Sequence, residues 1–252
     1  MSFKVENLFF KYIKRGNYIL NNLSFSIEKG SINIILGLNG SGKTTLIKIL
    51  AGINSDYEGS IFYDNLNFRK TKIYDKSKLI SYVSQNLDQA HDVLVKDYLT
   101  YGIVNSIKFY NVPSKKQIEA IYENAQKWKI DHLMTKKLGE LSGGQRRLVN
   151  ICVALLQNAE TIILDEPTAS LDLNKENEIL LTLNDINKQE NKTIIFSTHN
   201  PNHATLLKSN VILISKGKIV DSGDAKLIIN TRKLSSIYGD TLCFKESLQY
   251  KW

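Results

Sequence analysis

Cysteine is scarce. Cys152 and Cys243 are the only two in 252 residues, which leaves no disulfide framework and no zinc-ligand spacing. Cys152 lies in an apolar run and is expected in the core. Long hydrophobic runs are missing too: Thr161 to Leu164 and Val211 to Ile214 fall far short of the roughly 20 apolar residues a membrane-spanning helix needs. The opening Met1-Ser2-Phe3-Lys4-Val5-Glu6 lacks the apolar stretch of a secretory leader. The chain is therefore expected in the cytosol, with any membrane link made through a partner. Internal repeats, low-complexity tracts and long linkers are also absent. Basic residues outnumber acidic ones, 33 to 25, for a net charge of +8 and a pI near 9.2. The lysines are scattered, however, and the clustered basic stripe of a nucleic-acid-binding protein is not there, so no nucleic acid is expected as a partner. What is present is ordinary for a globular protein, 42% hydrophobic and 23% charged, at a length that suits a single α/β domain.

The most informative stretch is Gly37 to Thr45, GLNGSGKTT. Ser31 to Leu36 before it is apolar and β-branched and reads as a buried parallel strand. Leu46 to Ala51 after it reads as a helix that Gly52 stops. The stretch fits G-x-x-x-x-G-K-[ST], the Walker A phosphate loop. Gly37, Gly40 and Gly42 let the backbone turn tightly and aim several N–H groups at one anion. The helix N-terminus adds its dipole. Lys43 supplies a charge for the β- and γ-phosphates, and Thr44 a hydroxyl for Mg²⁺.

Ser2 to Phe10 and Leu23 to Ile27 alternate as half-buried antiparallel strands do, around a basic, aromatic turn from Lys11 to Tyr18. Gly59 to Tyr63 and Leu79 to Val83 read as further strands, and the polar Ser84-Gln85-Asn86 follows. From Val95 to about Lys129 the pattern is helical: Val95, Leu99, Ile103 and Ile107, then Ile118, Ile121 and Trp128 after Pro113-Ser114. Leu141-Ser142-Gly143-Gly144-Gln145 opens another helix, Arg146 to Leu156, with Ser142 suited to its N-cap. Thr161 to Leu164 is a buried strand ending in Asp165 and Glu166. Thr193 to Ser197 is another, ending at Thr198-His199. Carboxyl ends of parallel strands are where ligands gather. Asp165 suits Mg²⁺, and Glu166 suits the orientation of a water. His91, His132 and His203 receive no role. Val211 to Ile214 and Gly217 to Val220 look like a closing hairpin, with short helices after it.

In this order the motifs resemble the ATP-binding subunit of an ATP-binding-cassette (ABC) transporter, over nearly the whole chain. The resemblance rests on Walker A, Gln85, LSGGQ at Leu141 to Gln145, a Walker B strand ending at Asp165, Glu166 next to it, Ser170-Leu171-Asp172 as the D-loop, and His199 as the switch histidine. It implies an α/β P-loop NTPase with a RecA-like core, an N-terminal antiparallel β-subdomain and a helical subdomain over about Leu87 to Leu156, all in one nucleotide-binding domain spanning 1–252. It implies ATP and Mg²⁺ as cofactors. ATP would contact Gly37, Leu38, Asn39, Gly40, Ser41, Gly42, Lys43, Thr44, Thr45 and Asp172, and Mg²⁺ would take Thr44, Gln85 and Asp165. Tyr12 best matches the family's adenine-stacking aromatic, with Tyr18 as the other candidate. Two cassettes would pair head to tail, so that Ser142, Gly143, Gly144 and Gln145 of one face the ATP held by the other. Glu166 would polarise the attacking water, His199 bind the γ-phosphate, and Gln85 sense Mg²⁺ and water.

Partners implied by the resemblance are integral-membrane permease subunits, a second copy of the chain, and, indirectly, an external substrate-binding protein. They place the chain on the inner face of the membrane. Val95 to Gly102, Thr198 to Ala204, Gly217 to Val220 and Leu234 to Gly239 are similar to importers of the iron-siderophore, haem, cobalamin and molybdate group. Other metal importers and two-component exporters are the alternatives. Soluble ABC ATPases of DNA carry long coiled coils, for which Lys43 to Ser142 leaves no room, and translation-type members carry two cassettes per chain. A non-catalytic module with a decayed site is disfavoured by the intact motif positions.

Overall fold

The computed structural model describes residues 2–85, 91–106 and 112–238. Asn86, Ile107, Gly239, Cys243 and the 87–90 start of the expected helical subdomain lie outside the described residues. The chain begins with β1 (Phe3–Phe10), β2 (Leu20–Ile27) and β3 (Ile32–Leu36), then α1 (Lys43–Leu50), β4 (Glu58–Tyr63) and β5 (Leu66–Asn67). Next come α2 (Ile73–Leu79), β6 (Ile80–Val83), α3 (Val95–Leu99), α4 (Lys115–Lys127), α5 (Gly143–Leu156) and β7 (Thr161–Leu164). The chain continues through α6 (Leu173–Glu190), β8 (Thr193–Thr198), α7 (Asn202–Leu207), β9 (Asn210–Ser215), β10 (Lys218–Asp224), α8 (Ala225–Ile228) and α9 (Thr231–Tyr238).

The strands form two sheets. One is antiparallel with order β2-β1-β4-β5; the other has order β10-β9-β3-β8-β7-β6. In the larger sheet β9, β3, β8, β7 and β6 run parallel and β10 closes one edge antiparallel. Parallel strands buried on both faces need apolar residues on both, and the alternation along each strand divides them between two cores. Ile34, Leu36, Ile162, Leu164, Ile194 and Phe196 face α5 and α6. Ile35, Ile163, Ile195 and Ile212 face the other way, into a core shared with Leu46, Ile47 and Leu50 of α1 and with β1 and β2. The phosphate-loop helix therefore sits between the sheets with its core side fully buried.

Several boundaries differ from the sequence reading, each for a local reason. β2 starts three residues early, at Leu20, because it pairs with β1 down to Phe10. Leu79 ends α2 rather than opening a strand. The Val95 helix runs only to Leu99 and continues as a 3-10 helix over Thr100–Ser106. α4 begins after Pro113-Ser114 as expected, capped by Ser114 with Gln117 completing a capping box. β9 does more than form a hairpin with β10, since it also pairs in parallel with β3.

Gly59 marks a close approach of backbones. It holds φ +90°, and a Cβ there would lie 2.1 Å from the Asn7 carbonyl oxygen, beside the register shift between β1 and β4. Gly59→Ala is expected to cost about 1–3 kcal/mol in backbone strain. That corresponds to a thermal midpoint lower by roughly 2–12 °C, read by differential scanning fluorimetry.

Candidate functional site

The sheet order brings the candidate residues together. Gly37, Gln85, Asp165 and His199 follow the carboxyl ends of β3, β6, β7 and β8 within two residues, and these four strands are neighbours in the order β3-β8-β7-β6. A cavity of about 410 Å³ opens there. Its walls are Asn39, Gly40, Gly42, Lys43, Thr44 and Thr45 of the loop, with Gln85 and Glu166 opposite and Tyr12 and Ile19 at the mouth. Gly42 begins α1 in the left-handed region, φ +104°, which glycine takes without strain. Gly37 leaves no space for a side chain: a Cβ would stand 2.3 Å from the Ile214 carbonyl oxygen. Ser41 and Leu38 complete the loop, with the Ser41 N–H donating to the Leu38 carbonyl at 3.2 Å.

Lys43 is 4% exposed. Its ammonium donates to the carbonyls of Gly37 (2.9 Å) and Leu38 (3.1 Å) and pairs with Glu166 Oε1 at 3.4 Å. Thr44 Oγ1 donates to Asp165 Oδ1 at 3.1 Å, and Ser197 Oγ donates to the same oxygen at 2.7 Å. Ser197 Oγ in turn accepts the Glu166 N–H at 2.9 Å. That bond holds Glu166 at φ +44°, a strained conformation for a residue with a Cβ. Glu166 Oε2 accepts from Gln85 Nε2 at 3.3 Å and lies 3.9 Å from His199 Nδ1. Buried Asp165 also acts on its surroundings: burial first, then this carboxylate, push the Tyr82 phenol up to about 12.

Tyr12 and Tyr18 separate clearly. Tyr12 hydrogen-bonds through its hydroxyl to Thr45 Oγ1 (3.3 Å), stands edge-on to Phe10 at 4.9 Å and leaves its ring 60% exposed at the cavity mouth. The Tyr18 hydroxyl donates to Glu58 at 2.9 Å and its ring packs on Phe9 and under Lys11. Ser142, Gly143, Gly144, Gln145 and Asp172 do not line the cavity. Ser142 caps α5 in a reciprocal box with Gln145, and Asp172 caps α6 through the Lys175 N–H.

Some participants were not found from sequence. In sequence Ser197 marks only a strand end. Arg147, 4% exposed, donates from Nη1 to the Ser84 carbonyl (2.9 Å) and from Nη2 to the Gln85 carbonyl (3.2 Å), tying α5 to the strand end that carries Gln85. His203, 3% exposed, is bonded to Thr198 and Glu176. Burial holds the His203 imidazole below its ordinary 6.5, against the pull of the Glu176 carboxylate. The unfolded chain thus binds more protons than the folded protein as pH falls through 6.5. Stability complete above that value is lost progressively below it. The urea midpoint is expected to drop between pH about 7.5 and about 5.5, and to drop less in His203→Gln, which has no imidazole to protonate.

The family model described as ABC transporter matches residues 20–169. A protein of Helicobacter pylori named a probable iron chelatin transport ATP-binding protein is 32% identical over 243 residues, 96% of this chain and 94% of that one. An energy-coupling factor transporter ATP-binding protein, EcfA of Pediococcus pentosaceus, is 34% identical over 93% of this chain and 83% of its own. Among solved structures, a transporter described as metal-chelate type, in an inward-facing conformation, aligns with TM-score 0.82 at 28% identity, covering 94% of this chain and 88% of that chain.

Proposed function

The chain belongs to the ABC transporter family as an ATP-hydrolysing subunit that powers membrane transport, and from that premise we propose that it drives import of an iron-siderophore or related metal chelate. The observation that carries the enzymatic half is that Lys43, Thr44, Gln85 and Glu166 line one cavity, with Asp165 bonded to Thr44 behind its wall and His199 Nδ1 3.9 Å from Glu166. ATP would lay its phosphates on the Gly37 to Thr45 loop and its adenine on the Tyr12 ring. Lys43, whose ammonium is already held by two loop carbonyls, would carry the β- and γ-phosphates. Glu166 would accept the proton of the attacking water, with Gln85 and His199 holding the two sides of the reacting phosphate. Positioning and charge stabilisation supply the catalysis.

The donor set fits Mg²⁺. The Thr44 hydroxyl and Asp165 carboxylate are hard oxygen donors side by side, and Gln85 offers an amide oxygen nearby. No group of three or more His, Cys, Asp and Glu able to hold a metal occurs among the described residues, so the ion would complete its shell with phosphate oxygens and water. When bound it neutralises charge developing on the phosphates.

We read 1–252 as one nucleotide-binding domain whose residues about 87–156 form a helical subdomain. The placement of Ser142 and Asp172 outside the cavity supports a site completed by a second copy in head-to-tail contact. No helix among the described residues is long and apolar enough to cross a membrane. The chain would therefore sit on the cytoplasmic face, held by permease subunits, with an external binding protein delivering cargo. The iron chelatin and metal-chelate relatives favour a chelate cargo; the energy-coupling factor relative supports a second reading, an ATPase of that transporter class.

Affinity capture from detergent-solubilised membranes with the tagged Glu166→Gln chain and ATP tests this. A polytopic permease that transports a ferric chelate when reconstituted is the expected partner. An energy-coupling factor membrane component would establish the second reading, and capture of only ribosomal or DNA-bound proteins would overturn both.

A further inference from the structure

The buried imidazole of His203 lies outside the nucleotide cavity, yet it sits in a closed hydrogen-bond ring around His199. Glu176 is on the first turn of α6 and its carboxylate can only accept, so His203 Nε2 carries the imidazole proton and donates it to Glu176 Oε1. The neutral imidazole then has a bare Nδ1, which accepts from Thr198 Oγ1 at 3.0 Å. Thr198 Oγ1 accepts the Asn200 N–H at 3.1 Å, and Asn200 Nδ2 returns to Glu176 Oε1 at 3.2 Å. Asn200 Oδ1 is also taken, by the Asn202 N–H at 3.0 Å. Both neighbours of His199 in the chain are thereby locked to one carboxylate of α6. The His199 carbonyl is fixed separately by the Tyr238 hydroxyl at 2.9 Å. The His199 side chain itself stays 56% exposed beside Glu166.

We propose that His203, paired with Glu176, is a positioning residue for ATP turnover: it sets the backbone that aims His199 at the reacting phosphate, and ties that aim to α6, whose first turn is capped by Asp172. The proposal rests on the reading of His199 as a participant in turnover. A residue acting this way lowers kcat without loosening the nucleotide, because none of the ring's atoms line the cavity. A misplacement of about 1 Å is enough for losses up to roughly 100-fold.

The test is a cycle of His203→Ala, His199→Ala and the double variant in the full-length chain, measured under single-turnover conditions so that slow variants remain readable. Fluorescent-nucleotide affinity is measured alongside. His203→Ala is expected to slow turnover about tenfold or more, with ATP affinity within about twofold. His203→Gln, whose amide N–H can still reach Glu176, should recover part of the loss. On the His199→Ala background, adding His203→Ala should cost nothing further. The proposal is overturned if His203→Ala turns over normally, or slows turnover by the same factor with and without His199. Normal turnover of His199→Ala alone would instead remove the reading beneath it. Should His203→Ala not fold, His203→Asn, which keeps the acceptor facing Thr198, enters the same cycle and is judged the same way.

Discussion

Glu166→Gln is expected to bind ATP normally and hydrolyse it about 10²–10⁴ times more slowly, the span over which a positioned general base contributes. The substitution keeps the volume of a side chain that is only 12% exposed and touches three candidate groups: Lys43 at 3.4 Å, Gln85 at 3.3 Å and His199 at 3.9 Å. It removes the charge and the capacity to take a proton. Lys43 keeps its two loop carbonyls, so the loop and its affinity for phosphate should survive. If two chains close over ATP as proposed, blocked hydrolysis should leave a dimer that persists on size exclusion with ATP and vanishes with ADP. Phosphate release and ATP titration on one preparation decide the matter. Wild-type turnover would remove Glu166 from the base role, whereas loss of both binding and turnover would mean the substitution had damaged the loop.

That experiment addresses residues the sequence makes plain, and the reason is physical. A buried parallel strand must be apolar along its length, so the polar residues at its carboxyl end stand out: Asp165-Glu166 after Thr161–Leu164, and His199 after Thr193–Thr198. The phosphate loop is legible because its glycines, lysine and threonine are fixed by local backbone geometry. Contacts between distant segments were not legible. His203 and Glu176 are 27 residues apart, and Arg147 reaches carbonyls 62 and 63 residues back. Nothing in a local pattern marks such a pair. Helix α6 is different, because it is absent from the sequence reading although its own residues carry a signal. Ile179, Leu180, Leu183 and Ile186 form its buried stripe and Asp172 its cap. The polar runs Asn174–Glu178 and Asn187–Glu190 on either side of the stripe leave only about two turns of visible periodicity.

Ligand chemistry and assembly were legible to different depths for a related reason. The proposed phosphate and metal contacts fall on residues of this chain, so the motif and the cavity can be argued from the same residues. The proposed completion of the site by Ser142 depends on where a second copy would dock. The cargo depends on proteins whose surfaces leave no mark on the nucleotide cavity. Relatives named for iron chelatin and for energy-coupling factor transport share near-equal identity with this chain, which is what a common ATP site with different membrane partners produces.

Lys43→Ala should have the largest effect on binding. The ammonium is nearly fully buried and makes two hydrogen bonds to loop carbonyls in addition to its contact with Glu166. Its removal deletes the only side-chain cation lining the cavity among the described residues, so triphosphate charge would be met by backbone N–H groups and the α1 dipole alone. Hydrogen bonds to charged groups contribute about 1.5–3 kcal/mol each, so the loss of one or two predicts ATP affinity weaker by at least tenfold to 100-fold. The loop also loses its internal tether, which lets the Gly37 and Leu38 carbonyls relax. Lys43→Arg separates the two causes. It keeps the charge, but its planar fork does not fit where one compact ammonium meets two carbonyls, so it should bind ATP better than Lys43→Ala and still less well than wild type. Calorimetric titration with ATP and with ADP completes the comparison. A deficit larger for ATP than for ADP places the Lys43 charge at the γ-phosphate, an equal deficit places it at the β-phosphate, and wild-type affinity in Lys43→Ala would contradict the phosphate-loop reading itself.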